Sequence, residues 1–234
     1  MNIIITGASQ GIGNAVVKKL AENSHNHIIA ISRNAEKLNN LAEDCHKINP
    51  ESTVYPVPFD LASSNYAFDL LPKILEKFDK VDILVNNAGY LVKKDFFDLT
   101  DEDFDQAFNI NLKTVFKLSR ALLPNFKSGT HIINVGSMGG IQGSAKFPGL
   151  SLYSAAKGAV AILTEAMAEE FKDRGISVNC MAFGAVQTEM LGQAFPGYQA
   201  PIKPEEIANF VADFCVNGNK YFNGKILPVS ISTP

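Results

Sequence analysis

Short runs of aliphatic and β-branched residues alternate along this chain with longer stretches whose apolar positions recur every three to four residues. The short runs are Ile3–Ile5, Ile28–Ser32, Val54–Phe59, Asp82–Asn86, His131–Val135, Ile176–Met181 and Lys225–Val229. The longer stretches predict helices at about 12–24, 35–48, 64–78, 101–126, 153–173 and 204–216. Such alternation is the signature of β-α units feeding a parallel sheet. Seven strands with six crossovers predict a doubly wound α/β fold with helices on both faces.

One detail tests this topology. Pro56 and Pro58 sit two apart in the third strand, so both missing N–H groups belong to the same side. A strand so altered belongs at an edge, and the strand order 3-2-1-4-5-6 places the third strand there. Thr100 followed by Asp103 resembles a capping box, with Asp in place of the usual Glu or Gln, opening the long helix that carries Phe104, Phe108 and Leu112. The stretch from about 187 to 203 is the one loop rich enough in Gly and Pro to act as a mobile lid over a site.

With 234 residues, 46% of them hydrophobic, the chain has material for one well-buried core and not for two, so a single domain is expected. A net charge of −3 and no run of Lys and Arg argue against nucleic acid or an anionic membrane as partner. Small molecules and further copies of the chain are the expected partners. Met1 and Asn2 run straight into Ile3–Ile5 and then a turn, which leaves no room for an export signal. Cys45, Cys180 and Cys215 lack metal-ligand spacing and read as reduced, packed thiols, with no metal site expected. A cytoplasmic protein is the expectation from these features.

The candidate chemistry begins after the first strand, with Thr6, Gly7, Ala8, Ser9, Gln10, Gly11, Ile12 and Gly13. Glycines let the backbone approach a pyrophosphate closely, while the following helix offers unpaired N–H groups and a partial positive charge. Taken alone, three glycines equally mark a tight strand-to-helix connection. The second strand ends at Ser32 and Arg33, where an enzyme using NAD would place an acid against the ribose 2′-hydroxyl. A serine and an arginine suit a 2′-phosphate instead, which favours NADP(H) and leaves NAD(H) possible.

Tyr153 and Lys157 lie four apart at the start of an Ala-rich helical stretch, so their side chains share one face. Carbonyl reduction needs a proton delivered to oxygen, and a phenol near pKa 10 serves poorly in reverse unless a neighbouring cation lowers it. Lowering it to between 7 and 8 requires roughly 3 to 4 kcal/mol of preferential stabilisation of the phenolate, within reach of an adjacent Lys and an oxidised nicotinamide together. Ser137 closes the fifth strand, at the end where such sheets bind ligands, and its hydroxyl can stabilise charge developing on a carbonyl oxygen.

With Asn86, Asn87, Ala88 and Gly89 after the fourth strand, these motifs run in an order that resembles the classical short-chain dehydrogenase/reductase family over essentially the whole chain. The resemblance implies a Rossmann-like fold and a homodimer or homotetramer. It implies that Tyr153 is the general acid/base, that Lys157 lowers its pKa and holds the nicotinamide ribose, and that Ser137 binds the substrate oxygen. It further implies that Asn111 positions a water leading to Lys157, that Asp60 and Leu61 meet the adenine, and that Asn87, Ala88 and Gly89 line the adenosine. Ser9, Gln10 and Ile12 belong to the phosphate turn, Gly184 and Val186 to the nicotinamide end, and Thr188 matches the threonine that meets the carboxamide.

The chain departs from the family at Phe183, where a proline usually precedes Gly184, and this places an aromatic ring near the nicotinamide end. The C-terminal Pro228–Pro234 lacks the Asp-Gly-Gly ending of tetrameric relatives, which favours a dimer. Met138, Phe147, Leu150, Met190, Phe195 and Tyr198 are expected to form an apolar substrate chamber. A catalytically silent dinucleotide sensor and a nucleotide-sugar epimerase or dehydratase are the competing readings. The intact set Asn111, Ser137, Tyr153 and Lys157 weighs against the first, and the short chain against the second.

Overall fold

In a computed structural model, which describes residues 1–62 and 65–231, all seven strands join one parallel sheet of order β3-β2-β1-β4-β5-β6-β7. The strands are β1 Asn2–Thr6, β2 His27–Ser32, β3 Thr53–Pro58, β4 Val81–Asn86, β5 Phe126–Ser137, β6 Ser177–Phe183 and β7 Ile226–Val229. The proline argument holds in detail. The Phe59 amide donates to the Ser32 carbonyl at 2.9 Å, so the amides in step with Phe59 face β2 and those of Pro56 and Pro58 would face away. The opposite edge, β7, carries Pro228.

Both faces of the sheet are covered, and the period of two divides the strand residues between them. Ile3 and Ile5 enter a core with helices α1 Gly11–Ala21, α2 Ala35–Ile48 and α8 Pro204–Asn217, whereas Ile4 enters a second core on the other face. That second core is completed by α3 Leu71–Leu75, α5 Thr114–Leu122 and α6 Ser151–Phe171. Ile3, Ile4 and Ile5 are all fully buried, each contributing about 1.5–3 kcal/mol by removal from water.

The stretch expected as one helix at 101–126 is divided. Thr100 and Asp103 form the capping box that opens α4 Asp101–Phe108. A wide π-type turn at Asn109–Lys113 follows before α5. Its cause is visible: the Asn111 side chain donates to the Ala107 carbonyl at 2.9 Å, and Thr114 Oγ1 donates to the Ile110 carbonyl at 2.7 Å. Side chains that take the carbonyls four residues back open the ladder. Pro124 then ends the helical path, and Phe126 already belongs to β5, which pairs with Val81 of β4 before a register shift.

The predicted helix at 64–78 begins at a position outside the described residues; within them it is a π-type turn at Tyr66–Leu70 followed by α3. The first helix is shorter than expected and ends at Ala21. The lid stretch is more ordered than its composition predicts. Thr188 Oγ1 accepts from the Leu191 amide at 3.3 Å and caps a short helix, α7 Glu189–Ala194. A bridge between Val186 and Ile202 ties the base of the loop. Among the described residues no helix is long and apolar enough to cross a membrane, and no group of His, Cys, Asp and Glu could hold a metal. The three cysteines are free and buried.

Candidate active site

The carboxyl ends of β1, β2, β4, β5 and β6 open onto one cleft of about 530 Å³. At its centre is the turn after β1. Gly7 has φ +64° and Gly11 φ +58°, a region that side chains with a Cβ avoid. Asn87 holds the turn in place, its Nδ2 donating to the Thr6 and Gly7 carbonyls at 2.9 and 3.2 Å. Thr6 Oγ1 in return accepts from the Asn87 and Ala88 amides at 3.0 Å each. The last glycine plays a different part from the first two. A Cβ on Gly13 would lie 2.6 Å from the Gly7 carbonyl oxygen, and Gly13 does not border the cleft. No acidic residue stands in the first turn of α1, and Gln10 leaves its N-terminal amides without a side-chain cap. Those amides remain available to an anion.

Ser9, Gln10, Gly11 and Ile12 line this part of the cleft, followed by Ser32 and Arg33 at the end of β2. Ser32 is buried and its Oγ has no hydrogen-bond partner. Such an atom is costly unless something else satisfies it. Asp60, whose Oδ1 accepts from the Ala62 amide at 3.0 Å, Leu61, Ala88 and Gly89 also line the cleft. The uncapped amides, the backbone cradle at Gly7 and Gly11, and the orphaned Ser32 hydroxyl fit a nicotinamide dinucleotide.

At the other end, Ser137 and Tyr153 stand together on the cleft wall, near enough for the Ser137 hydroxyl to act on the Tyr153 phenol. Ser137 Oγ also accepts from the Gly139 amide at 3.2 Å. Burial raises the Tyr153 phenol above its ordinary value, and the Ser137 hydroxyl offsets this only in part. Lys157 is turned inward: its Nζ donates to the Val135 carbonyl at 2.8 Å and lies 5.9 Å from the Tyr153 ring centre. Burial lowers this ammonium to about 8.

Asn111 does not border the cleft. It lies beneath Gly89, where an added Cβ would sit 3.2 Å from Asn111 Oδ1 and 3.7 Å from Lys157 Nζ. Its side chain is engaged with backbone, donating to Tyr90 and Ala107 and accepting from Tyr90. Gly184 lines the cleft. On its other side the Ser230 side chain occupies the space that a Cβ would take. Phe183, beside Ser137 in the sheet register, is 5% exposed and packs into the core as well as the cleft wall. Val186 and Thr188 line the cleft.

Of the residues expected to form an apolar chamber, Met190 alone borders the cleft. Met138 and Leu150 are buried, whereas Phe147 and Tyr198 are largely exposed. Phe195 is held outside, edge-on to Phe147 and under the Lys93 ammonium at 4.1 Å. Leu91, Ile110 and Leu191 provide apolar wall in their place, with Tyr90 and Gln106 as polar neighbours. Sequence reasoning also missed Lys37 and Glu189 on the cleft wall. The available signal was Lys37 falling in the first turn of the helix that follows Ser32 and Arg33.

The family model for short chain dehydrogenase matches residues 1–199. An oxidoreductase of Botryotinia fuckeliana is 35% identical over 193 residues, covering 81% of this chain and 67% of that protein. A 3-oxoacyl-(acyl-carrier-protein) reductase of Thermotoga maritima is 29% identical, covering 97% of this chain and 94% of its own. Among solved structures, a short chain dehydrogenase of Burkholderia cenocepacia in complex with NADP superposes with a TM-score of 0.86 at 26% identity, covering 97% of this chain and 95% of that one. Because the family match extends without a break from the glycine turn through Tyr153 and Lys157 to the lid, this chain belongs to the short chain dehydrogenase family and is an oxidoreductase acting on CH–OH and C=O groups.

Proposed function

We propose that the protein interconverts a carbonyl compound and its alcohol with NADP(H) as hydride partner, Tyr153 acting as general acid and base. The observation that carries this reading is that Ser137, Tyr153 and Lys157 line the same cleft as the glycine turn. A bound nicotinamide supplies or accepts the hydride. In reduction, the Tyr153 phenol gives its proton to the carbonyl oxygen as negative charge develops there, and the Ser137 hydroxyl donates to the same oxygen. Burial keeps the phenol protonated at neutral pH, the form that reduction needs. Lys157 stabilises the phenolate left behind.

The preference for the phosphorylated cofactor rests on Ser32 and Arg33, the former with its unpartnered Oγ. Leu91, Ile110, Met190 and Leu191 favour a moderately apolar ketone, aldehyde or secondary alcohol. The assembly is a homodimer through α4, α5 and α6, whose outer faces expose Phe104, Phe116 and Ile162 at 48%, 45% and 66%.

The test follows NADPH and NADH absorbance with a panel of ketones, aldehydes and quinones, with Tyr153→Phe run beside the wild type. Turnover that favours NADPH and falls by about 10³-fold or more in the variant supports the reading. Turnover untouched by Tyr153→Phe refutes the assignment of Tyr153.

A further inference from the structure

Lys37 stands in the first turn of α2, where its own amide is taken by the Asn34 cap at 2.9 Å. Its side chain leaves the helix and reaches two other segments. Nζ donates to Gln10 Oε1 of the glycine turn at 3.0 Å and lies 3.5 Å from Glu189 Oε2 at the start of α7. Lys37 lines the same cleft as Ser32, Arg33 and Asn34. Among the described residues Glu189 is the one anion paired with it.

That pair is a poor resting place for the ammonium. The side chains are 43% and 60% exposed and the separation is long, so water and salt screen the attraction. A phosphate monoester carries nearly twice the charge of a carboxylate and three acceptor oxygens. Held by Ser32 and Arg33, it would share the cleft with an ammonium already held at its wall by Gln10.

We infer that Lys37 is a specificity-determining residue for the cofactor, a second cationic arm that exchanges Glu189 for the adenosine 2′-phosphate. This rests on the NADP(H) reading above. Glu189 thus acts as a placeholder that holds the arm over the cleft and competes weakly for it. Simple screening is the other role the geometry allows: Lys37 would then neutralise Glu189 beside the pyrophosphate, which both dinucleotides carry, and would not distinguish them.

The two roles separate in a binding measurement that needs no turnover. Adenosine 2′,5′-bisphosphate and 5′-AMP are titrated calorimetrically into the wild type, Lys37→Met, Lys37→Arg and Glu189→Gln. The expected result is a wild-type preference for the bisphosphate that falls by about tenfold or more in Lys37→Met, recovers in Lys37→Arg, and rises in Glu189→Gln. Weakening of both ligands by the same factor in Lys37→Met overturns the inference in favour of screening. A preference unchanged in Lys37→Met overturns it while leaving Ser32 and Arg33 as the phosphate site. A wild type that does not prefer the bisphosphate refutes the NADP(H) reading itself, a result that does not depend on any variant. Circular dichroism of each variant separates lost binding from lost fold.

Discussion

Asn111 grips the backbone of Tyr90 at both of its polar groups, donating Nδ2 to the carbonyl at 2.7 Å and accepting from the amide through Oδ1 at 3.1 Å. Asn111 sits on the π-type turn between α4 and α5, and Tyr90 lies on the wall of the cleft. The helical path is thereby locked to the loop that carries Gly89 past Lys157. Asn111→Ala leaves two buried or half-buried backbone groups of Tyr90 without partners, at a cost of about 1–3 kcal/mol each when fully buried. A fall of about 2–4 kcal/mol in unfolding free energy is expected from urea titration. A loss below 0.5 kcal/mol would show that water replaces the side chain without difficulty.

Lys157 sets a pH limit on the reaction. Burial lowers its ammonium to about 8, so it is mostly charged at pH 7 and loses its proton as pH rises through 8. The phenol of Tyr153 is moved the other way and stays protonated over that range. Reduction measured as kcat/KM is expected to be level below pH 7 and to fall toward tenfold per unit above 8. A profile that remains level to pH 9.5 removes the Lys157 charge from the rate.

His131 couples stability to acid. Its Nδ1 faces the Cys215 carbonyl at 3.1 Å and its Nε2 faces the Asn179 amide at 3.0 Å. The two neighbours call for a neutral ring with its proton on Nδ1, and burial lowers the group to about 4, against 6.5 for an ordinary histidine. The unfolded chain therefore binds the extra proton first. Stability from this group is complete above pH 6.5, declines as pH falls toward 4, and is level again below it, a change of about 3 kcal/mol. Urea unfolding of the wild type and His131→Gln at pH 7.5 and 4.5 isolates the effect. Equal losses in both proteins would exclude His131 as its source.

Two glycines give opposite forecasts for the same substitution. Gly13→Ala drives a methyl to 2.6 Å from the Gly7 carbonyl oxygen and 2.5 Å from Asn87 Nδ2, so the phosphate turn must shift. Dinucleotide affinity is expected to fall by about tenfold or more, read by fluorescence titration of NADPH. Gly192, in α7, has no atom within 4 Å of an added Cβ. Gly192→Ala is expected to hold or raise stability by up to about 1 kcal/mol. Comparable damage from both substitutions would contradict the steric account.

The periodicity of the chain by itself determined the class of fold, the seven strands and the edge position of β3, because two prolines in one strand permit no second neighbour. It determined that Tyr153 and Lys157 share a helix face and that glycines follow the first strand, since both are matters of local spacing. What it did not contain were relations between distant segments. The π-type turn arises where the Asn111 side chain chooses carbonyls of Ala107 and Tyr90, and no local pattern records that choice. The apolar wall passed from Phe147, Phe195 and Tyr198 to Leu91, Ile110 and Leu191 because the Thr188 cap and the bridge from Val186 to Ile202 fixed the lid in one position. Lys157 looked like a cation beside a phenol on its helix face, yet the tertiary fold supplied the Val135 carbonyl as its partner. Local spacing fixes which residues can share a face, and only packing decides which atoms then meet.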